Sequence, residues 1–360
     1  WQQLPDNGQE FMDETHPYVA DLDIFGPGSL FQRCNTSVTP AGKKRLAHWF
    51  LSGEQQPESI LERQNAVLEL APLLDWRQEL QAEALTYEGA FCEAEALSTW
   101  GDKQTPGLST HQLRRMRLVA FVLPAVTLLF AVLPSLLRTV SPGFGYAPLV
   151  LCLVVEMLLL LWRWKAVSGC LTSVEKAASD IRVHQQLLGR FEALSVQSTL
   201  LRRMQERLRD DHARTASEQA ARLARIVDAL GNRRHQLYIV ADILLLLDWH
   251  FLFAIERWRA QSGKHVGDWV ETNAELEALC SLAGLAHAHP EWTMPSLKEM
   301  DAPLRLLAES AGHPLLKDDC VLNTVQFEAS DRIALITGSN MSGKSRSEEH
   351  TSELQSLSHL

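Results

Sequence analysis

The sequence has no surplus of positive charge. Its 34 Lys and Arg stand against 44 Asp and Glu, a net charge of −10 over 360 residues. That removes any global basic signature for nucleic acid, so a contact with DNA requires a local patch. Cysteine is sparse and scattered: Cys34, Cys92, Cys152, Cys170, Cys280 and Cys320 form no C-x-x-C pair. The spacing argues against a zinc site or a disulfide framework and for a reducing compartment. The residues given show no cleavable signal-peptide pattern, and they open on Trp1 and run into charged sequence. An internal piece of a longer protein is the expectation. The 46% hydrophobic content is ample for a core, and the length accommodates two or three domains.

Charge is also missing from one long run. Residues 118–137 read LVAFVLPAVTLLFAVLPSLL. As a helix, 20 residues span about 30 Å, the thickness of a bilayer's hydrocarbon core. Pro124 and Pro134 are unfavourable in a soluble helix and tolerated in a membrane span. A turn-rich link, Ser141-Pro142-Gly143-Phe144-Gly145, leads to a second run at 146–162. Its single acid, Glu156, is costly against lipid and is expected to be neutral or to face the partner helix. Arg114, Arg115 and Arg117 precede the first run, Arg163 and Lys165 follow the second, and the link carries only Arg138. The positive-inside rule places both flanks in the cytoplasm and the link outside. A cytoplasmic-membrane protein follows, with the portions on both sides of the hairpin facing the cytoplasm. A third apolar run, 239–255, contains Asp242, Asp248 and His250 and is read as one buried core helix.

The rest is patterned for helices. Pro57 with Glu58 and Glu62 marks a helix start. From 171 to 230 apolar residues recur at three and four: Val174, Ala177, Ile181, Leu188, Phe191, Leu194, then Leu201, Met204, Leu208, then Leu223, Ile226, Val227, Leu230. Long amphipathic helices in a bundle are expected. Arg202, Arg203, Arg207, Arg209, Arg214, Arg222 and Arg225 make this stretch locally basic, but Glu206, Asp210, Asp211 and Glu218 are interleaved. A solvated, ion-paired face is the preferred reading over a DNA surface.

Near the end stands the most specific motif, Gly338, Ser339, Asn340, Met341, Ser342, Gly343, Lys344 and Ser345. It fits the phosphate-loop pattern, G, four residues, then G-K-[ST]. The apolar run 333–337 reads as the buried strand that such a loop follows. Backbone N–H groups of the loop can cradle ATP phosphates. Lys344 reaches the β and γ phosphates, and the Ser345 hydroxyl is a ligand for Mg²⁺. Short strand-like pieces, Val321-Leu322 and Val325-Gln326-Phe327, come before it, after a break at His313-Pro314. Beyond Ser345 the polar sequence R-S-E-E-H-T-S-E-L-Q-S has no helical apolar stripe. It matches the translation of a common sequencing-library adaptor, and 346–360 is treated as a non-native tail.

Together these pieces resemble the MutS family of DNA mismatch-repair ATPases. Residues 337–345 (TGSNMSGKS) are similar to the family's T-G-P-N-M-x-G-K-S-T, with Ser339 in place of proline. His313-Pro314-Leu315-Leu316 with Val321 and Asn323 resembles the entry to its ATPase domain. Residues 23–31 (DIFGPGSLF), Asn35-Thr36, Thr39-Pro40-Ala41-Gly42 and 60–67 (ILERQNAV) resemble the start of its helical core. The resemblance covers 20–100 and 185–345, interrupted by the apolar hairpin. It implies an ATPase, homodimeric when intact, that couples ATP and Mg²⁺ to binding of mismatched or branched DNA. The family's well-studied members are soluble, so the hairpin points to a membrane-associated branch. The mismatch-reading domain is not visible. The Walker B carboxylates and the dimerisation region belong beyond Ser345, so this chain is expected to bind ATP without turning it over.

The expected fold is mainly α: a long-helix core with a two-helix transmembrane hairpin, then the truncated start of an α/β phosphate-loop ATPase domain. The divisions are 1–112 and 166–308 for the helical core, 113–165 for the hairpin, 309–345 for the ATPase start and 346–360 for the tail. Two other readings stand beside this one. An ABC-type transport ATPase would carry a further glycine at the position of Met341 and more spans. A membrane-tethered helical scaffold without catalysis would carry the loop as a structural feature.

Overall fold

The computed structural model describes residues 4–54, 56–87, 94–102, 110–137, 146–210, 212–234, 236–297, 306–316 and 320–330. Among these the chain is mainly helical. The helices are α1 (Leu30–Cys34), α2 (Pro40–Leu51), α3 (Pro57–Leu70), α4 (Leu74–Leu85), α5 (Ala94–Asp102), α6 (Thr110–Leu137), α7 (Ala147–Glu192), α8 (Thr199–Arg207), α9 (Ala216–Leu230), α10 (Gln236–Leu245), α11 (Leu247–Ser262) and α12 (Val266–Ala288). Two strands follow, β1 (Leu306–Ala311) and β2 (Asn323–Phe327). The chain forms two compact units. One comprises Trp1–Gln81, Val196–Arg202 and Ala274–Leu360, the other Ala82–Ser195 and Arg203–Asn273.

In the first unit the DIFGPGSLF segment ties a tight turn. Leu30 N donates to Asp23 O (2.9 Å) and Phe31 N to Ile24 O (3.0 Å). Gly26 and Gly28 sit at φ 102° and 83°, a region that favours glycine. The turn places Phe25 against Phe31, with Phe11 across both. Val19, Ile24, Leu46, Ala47 and Ala278 complete this core. The next segment starts α2. Thr39 is its N-cap, its hydroxyl accepts from Gly42 N (3.0 Å), and Pro40 fills the first helical position, where no N–H is needed. Glu277 of α12 closes the same end. Its Oε1 accepts from Val38 N (3.2 Å) and Thr39 N (3.3 Å), and its Oε2 from the Thr39 hydroxyl. A Cβ at position 42 would lie 2.1 Å from Glu277 Oε2, so any larger residue there must displace the Glu277 carboxylate. Helix α3 starts at Pro57, in agreement with the sequence signal.

The second unit is built on α7. Its 46 residues make a rod about 70 Å long. The helix runs through residue 165 without a break, so the second apolar run and the first amphipathic helix of the bundle are one element. Val174, Ile181, Leu188 and Phe191 are buried on it, as their spacing predicts, and α9 packs along them with Ala216, Ala220 and Leu223. Helix α9 begins with a capping box, Thr215 and Glu218. Trp258 Nε1 of α11 donates to Gln219 O (2.8 Å). Two glycines bring backbones into contact: a Cβ on Gly101 would meet Gly263 O at 2.6 Å, and one on Gly263 would meet Gly101 O at 2.3 Å.

One expectation is overturned. The run 239–255 is not a single buried helix. It breaks at Leu246, whose φ of 50° is left-handed, and α10 meets α11 at 74°. Helix α11 is buried through Trp249, Leu252, Ile255 and Trp258, whereas α10 exposes Leu237, Ile239, Val240, Leu244 and Leu245. The three ionisable groups in the run do not share one helix: Asp242 lies on α10, and Asp248 and His250 on α11.

Candidate functional site

The expected phosphate loop, Gly338 to Ser345, the strand expected at 333–337, the link at 138–145 and the tail at 346–360 lie outside the described residues. What the structure does describe is the approach to the loop. Strands β1 and β2 pair antiparallel, Leu306 opposite Phe327 and Ala308 opposite Val325, with an irregularity before Ala311 opposite Asn323. Between them His313 starts a turn in which Leu315 N donates to His313 Nδ1 (3.2 Å) and Leu316 N to His313 O (3.1 Å). Strand β2 covers the second strand-like piece of the sequence. Strand β1 straddles the expected division at 308. Leu306, Leu307, Ala308 and Glu309 are good helix formers with no β-branched residue, and pairing with Asn323–Phe327 overrides that propensity.

Helices α6 and α7 are both long and apolar enough to cross a membrane. They expose Leu118, Phe121, Val122 and Leu128 on one, and Leu151, Leu158, Leu161 and Trp162 on the other. Leaving such side chains in water forgoes about 1.5–3 kcal/mol each. Glu156, the one acid of the second run, is fully buried between the two helices, and the Thr127 hydroxyl donates to its Oε1 at 2.8 Å. Thr127 also faces the Leu123 carbonyl, at 3.0 Å. The expectation that Glu156 faces its partner helix therefore holds. Thr127 was not singled out from the sequence, although a hydroxyl in an otherwise apolar run was the available signal. At the other end of the second run, Arg163 lies over the Trp162 ring, 4.3 Å from its centroid.

The arginine-rich stretch is partly ion-paired. Arg214 Nη2 lies 2.5 Å from Asp210 Oδ2, and Arg182 of α7 pairs with Asp228 of α9. Glu218 is occupied by its capping box. Arg202 donates to the Gln197 carbonyl. Of the interleaved acids, Asp210 thus neutralises Arg214 and Glu218 caps α9, while Asp211 lies outside the described residues.

A groove in the first unit, lined by Ile60, Arg63, Val67, Leu285, His289 and Trp292, was not anticipated. Arg33 Nη2 donates to His289 Nε2 (2.9 Å), and the His289 ring stacks on Trp292 with centroids 4.1 Å apart. The residues at its mouth come from α1, α3 and the segment after α12, so sequence spacing carries no trace of it.

No family model matches the chain, and no solved structure matches it.

Proposed function

We propose that this chain is a membrane-anchored, MutS-like ATP-binding protein, whose helical core and hairpin hold a phosphate-loop nucleotide site at the cytoplasmic face. The observation that carries the reading is the sequence 337–345, TGSNMSGKS, in which the Asn-Met pair makes the loop more specific than a bare phosphate loop. The strand pair β1–β2 shortly before it supports an α/β element at this end of the chain. In this proposal the loop N–H groups and Lys344 hold the ATP phosphates, and Ser345 offers its hydroxyl to Mg²⁺. The helices α6 and α7 cross the membrane with residues 110–117 and 163–165 on the cytoplasmic side, following the positions of the arginines and Lys165. A homodimer that couples ATP to mismatched or branched DNA is the further part of the proposal and rests on the resemblance alone.

Binding of a fluorescent ATP analogue with Mg²⁺ to the full chain in detergent micelles tests the nucleotide site. Saturable binding that falls at least about tenfold in Lys344→Ala is expected, since a charge-assisted phosphate contact contributes on the order of 1.5–3 kcal/mol. Equal binding by the variant and the parent would remove the loop from the account. Titration with homoduplex, mismatched and branched DNA across a salt series tests the second part. Absence of salt-dependent binding to all three would remove DNA.

A further inference from the structure

Helix α10 is built inside out. Among its described side chains the exposed ones, Leu237, Ile239, Val240, Leu244 and Leu245, are all apolar. The polar Tyr238 and Asp242 turn inward. The Tyr238 hydroxyl donates to Asp248 Oδ1 (2.5 Å), and Asp242 Oδ1 accepts from Asp248 N (2.8 Å). Arg233 Nη2 completes the cluster on Asp248 Oδ2 (2.6 Å). A helix on a water-facing surface places these two sets the other way round. The cluster also fixes the bend. It spans the break at Leu246, whose left-handed backbone costs a non-glycine residue about 1–2 kcal/mol and so persists only where surrounding contacts over-determine it.

The apolar face has a neighbour of known character. Helix α10 packs on both α6 and α7, and the helix that continues from it touches the first apolar run directly, through Phe121 and His250 with ring centroids 4.8 Å apart. Phe121 lies one turn inside the apolar run from Arg117 and is itself exposed. The apolar face of α10 therefore belongs to a helix packed against both long apolar helices, and the adjoining α11 meets α6 near its basic end. The ten residues of α10 span about 15 Å, half a hydrocarbon core, which suits an interfacial or re-entrant segment and not a third crossing.

We infer that α10 is a third membrane-embedded element, a short helix seated among the acyl chains of the leaflet that holds the basic ends of α6 and α7. The partner is lipid hydrocarbon, and the inference rests on the proposed crossing of the membrane by those two helices. The polar cluster around Asp248 holds α10 at its angle to α11, so that one helix lies in lipid and the next in the protein core.

The test uses the full chain in vesicles of phosphatidylcholine and phosphatidylglycerol, with Cys92, Cys152 and Cys320 changed to Ser and the buried Cys34, Cys170 and Cys280 kept. A bimane label is placed at Val240→Cys or Leu244→Cys, with Val154→Cys in the second apolar run as the lipid reference and Leu61→Cys on α3 as the water reference. Brominated lipid is expected to quench both α10 labels as it quenches the label at Val154, and aqueous iodide to quench them several-fold less than the label at Leu61. Iodide quenching equal to that at Leu61 would overturn the inference. Protection from both quenchers would also overturn it and would assign the face to a protein partner. If the label at Val154 is itself quenched by iodide and not by lipid, the hairpin reading fails, and the inference fails with it.

Discussion

At the scale of single residues, the junction of Glu277 with the start of α2 shows how a buried carboxylate is held. Burial pushes its carboxyl up from the ordinary range, and the hydrogen bonds from Thr39 and Val38 oppose that shift. Truncation in Glu277→Ala leaves two backbone N–H groups and a hydroxyl without their acceptor. Each buried unsatisfied group costs about 1–3 kcal/mol, so a loss of about 3 kcal/mol in the urea midpoint analysis of the full chain is expected. Glu277→Gln keeps one acceptor oxygen for the two N–H groups and is expected to lose about 1 kcal/mol or less. Gly42→Ala, which adds no charge, should be about as harmful as the truncation because its Cβ displaces Glu277 from these bonds. Stability of all three variants equal to that of the parent would show that the junction contributes nothing.

His184 supplies a pH dependence with a definite sign. It is buried on α7, its Nδ1 accepts from Asn273 Nδ2 (2.6 Å), and burial lowers its pKa from 6.5 to about 4. The unfolded chain then binds a proton that the folded chain refuses. Stability from this group is complete above pH 6.5 and is lost as the pH falls from there towards 4. The shift corresponds to a loss on the order of 3 kcal/mol at the acid end. Urea midpoints measured from pH 7.5 down to 4.5 should show a fall that is shallower in His184→Gln. Parallel curves for the two proteins would assign the acid sensitivity to other groups.

At the scale of elements, what was legible followed from periodicity and composition. The burial of Val174, Ile181, Leu188 and Phe191 was readable because an amphipathic helix repeats its apolar face every three to four residues. Helices α6 and α7 were readable because runs of that length with at most one ionisable residue have few other solutions. The failures have equally local causes. Strand β1 is made of helix formers and is extended only because β2 pairs with it. The break at Leu246 has no glycine or proline to announce it, and the residues that hold it, Arg233, Tyr238 and Asp248, are brought together only by the bend. The groove at Arg33, His289 and Trp292 joins positions more than 250 apart in sequence, beyond any pattern that a window can detect. The candidate phosphate loop is the opposite case. It is fully legible as a sequence and lies outside the described residues, so its chemistry is carried by residue types alone.

At the scale of the whole molecule, the proposal makes the direction of the chain through the membrane a single binary quantity. Two crossings return the chain to the side from which it started, so residues before α6 and after the apolar part of α7 share a compartment. A short re-entrant α10 leaves that arithmetic unchanged. In the proposal that compartment is the cytoplasm, on the strength of the arginines at 114, 115 and 117 with Arg163 and Lys165 against the lone Arg138 of the link. If this is right, a membrane-impermeant maleimide added to intact cells should label Ser141→Cys above the parent chain and leave Arg115→Cys and Lys165→Cys at the parent's level, with all three labelled after permeabilisation. Labelling of Arg115→Cys and Lys165→Cys in intact cells, with Ser141→Cys protected, would invert the orientation and place Lys344 away from cytoplasmic ATP, so the nucleotide proposal would fall together with the topology. Labelling of Ser141→Cys and of only one flank would mean a single crossing. The burial of Glu156 against Thr127 speaks against that outcome, because a half-inserted hairpin would leave the carboxylate of α7 facing lipid without its partner.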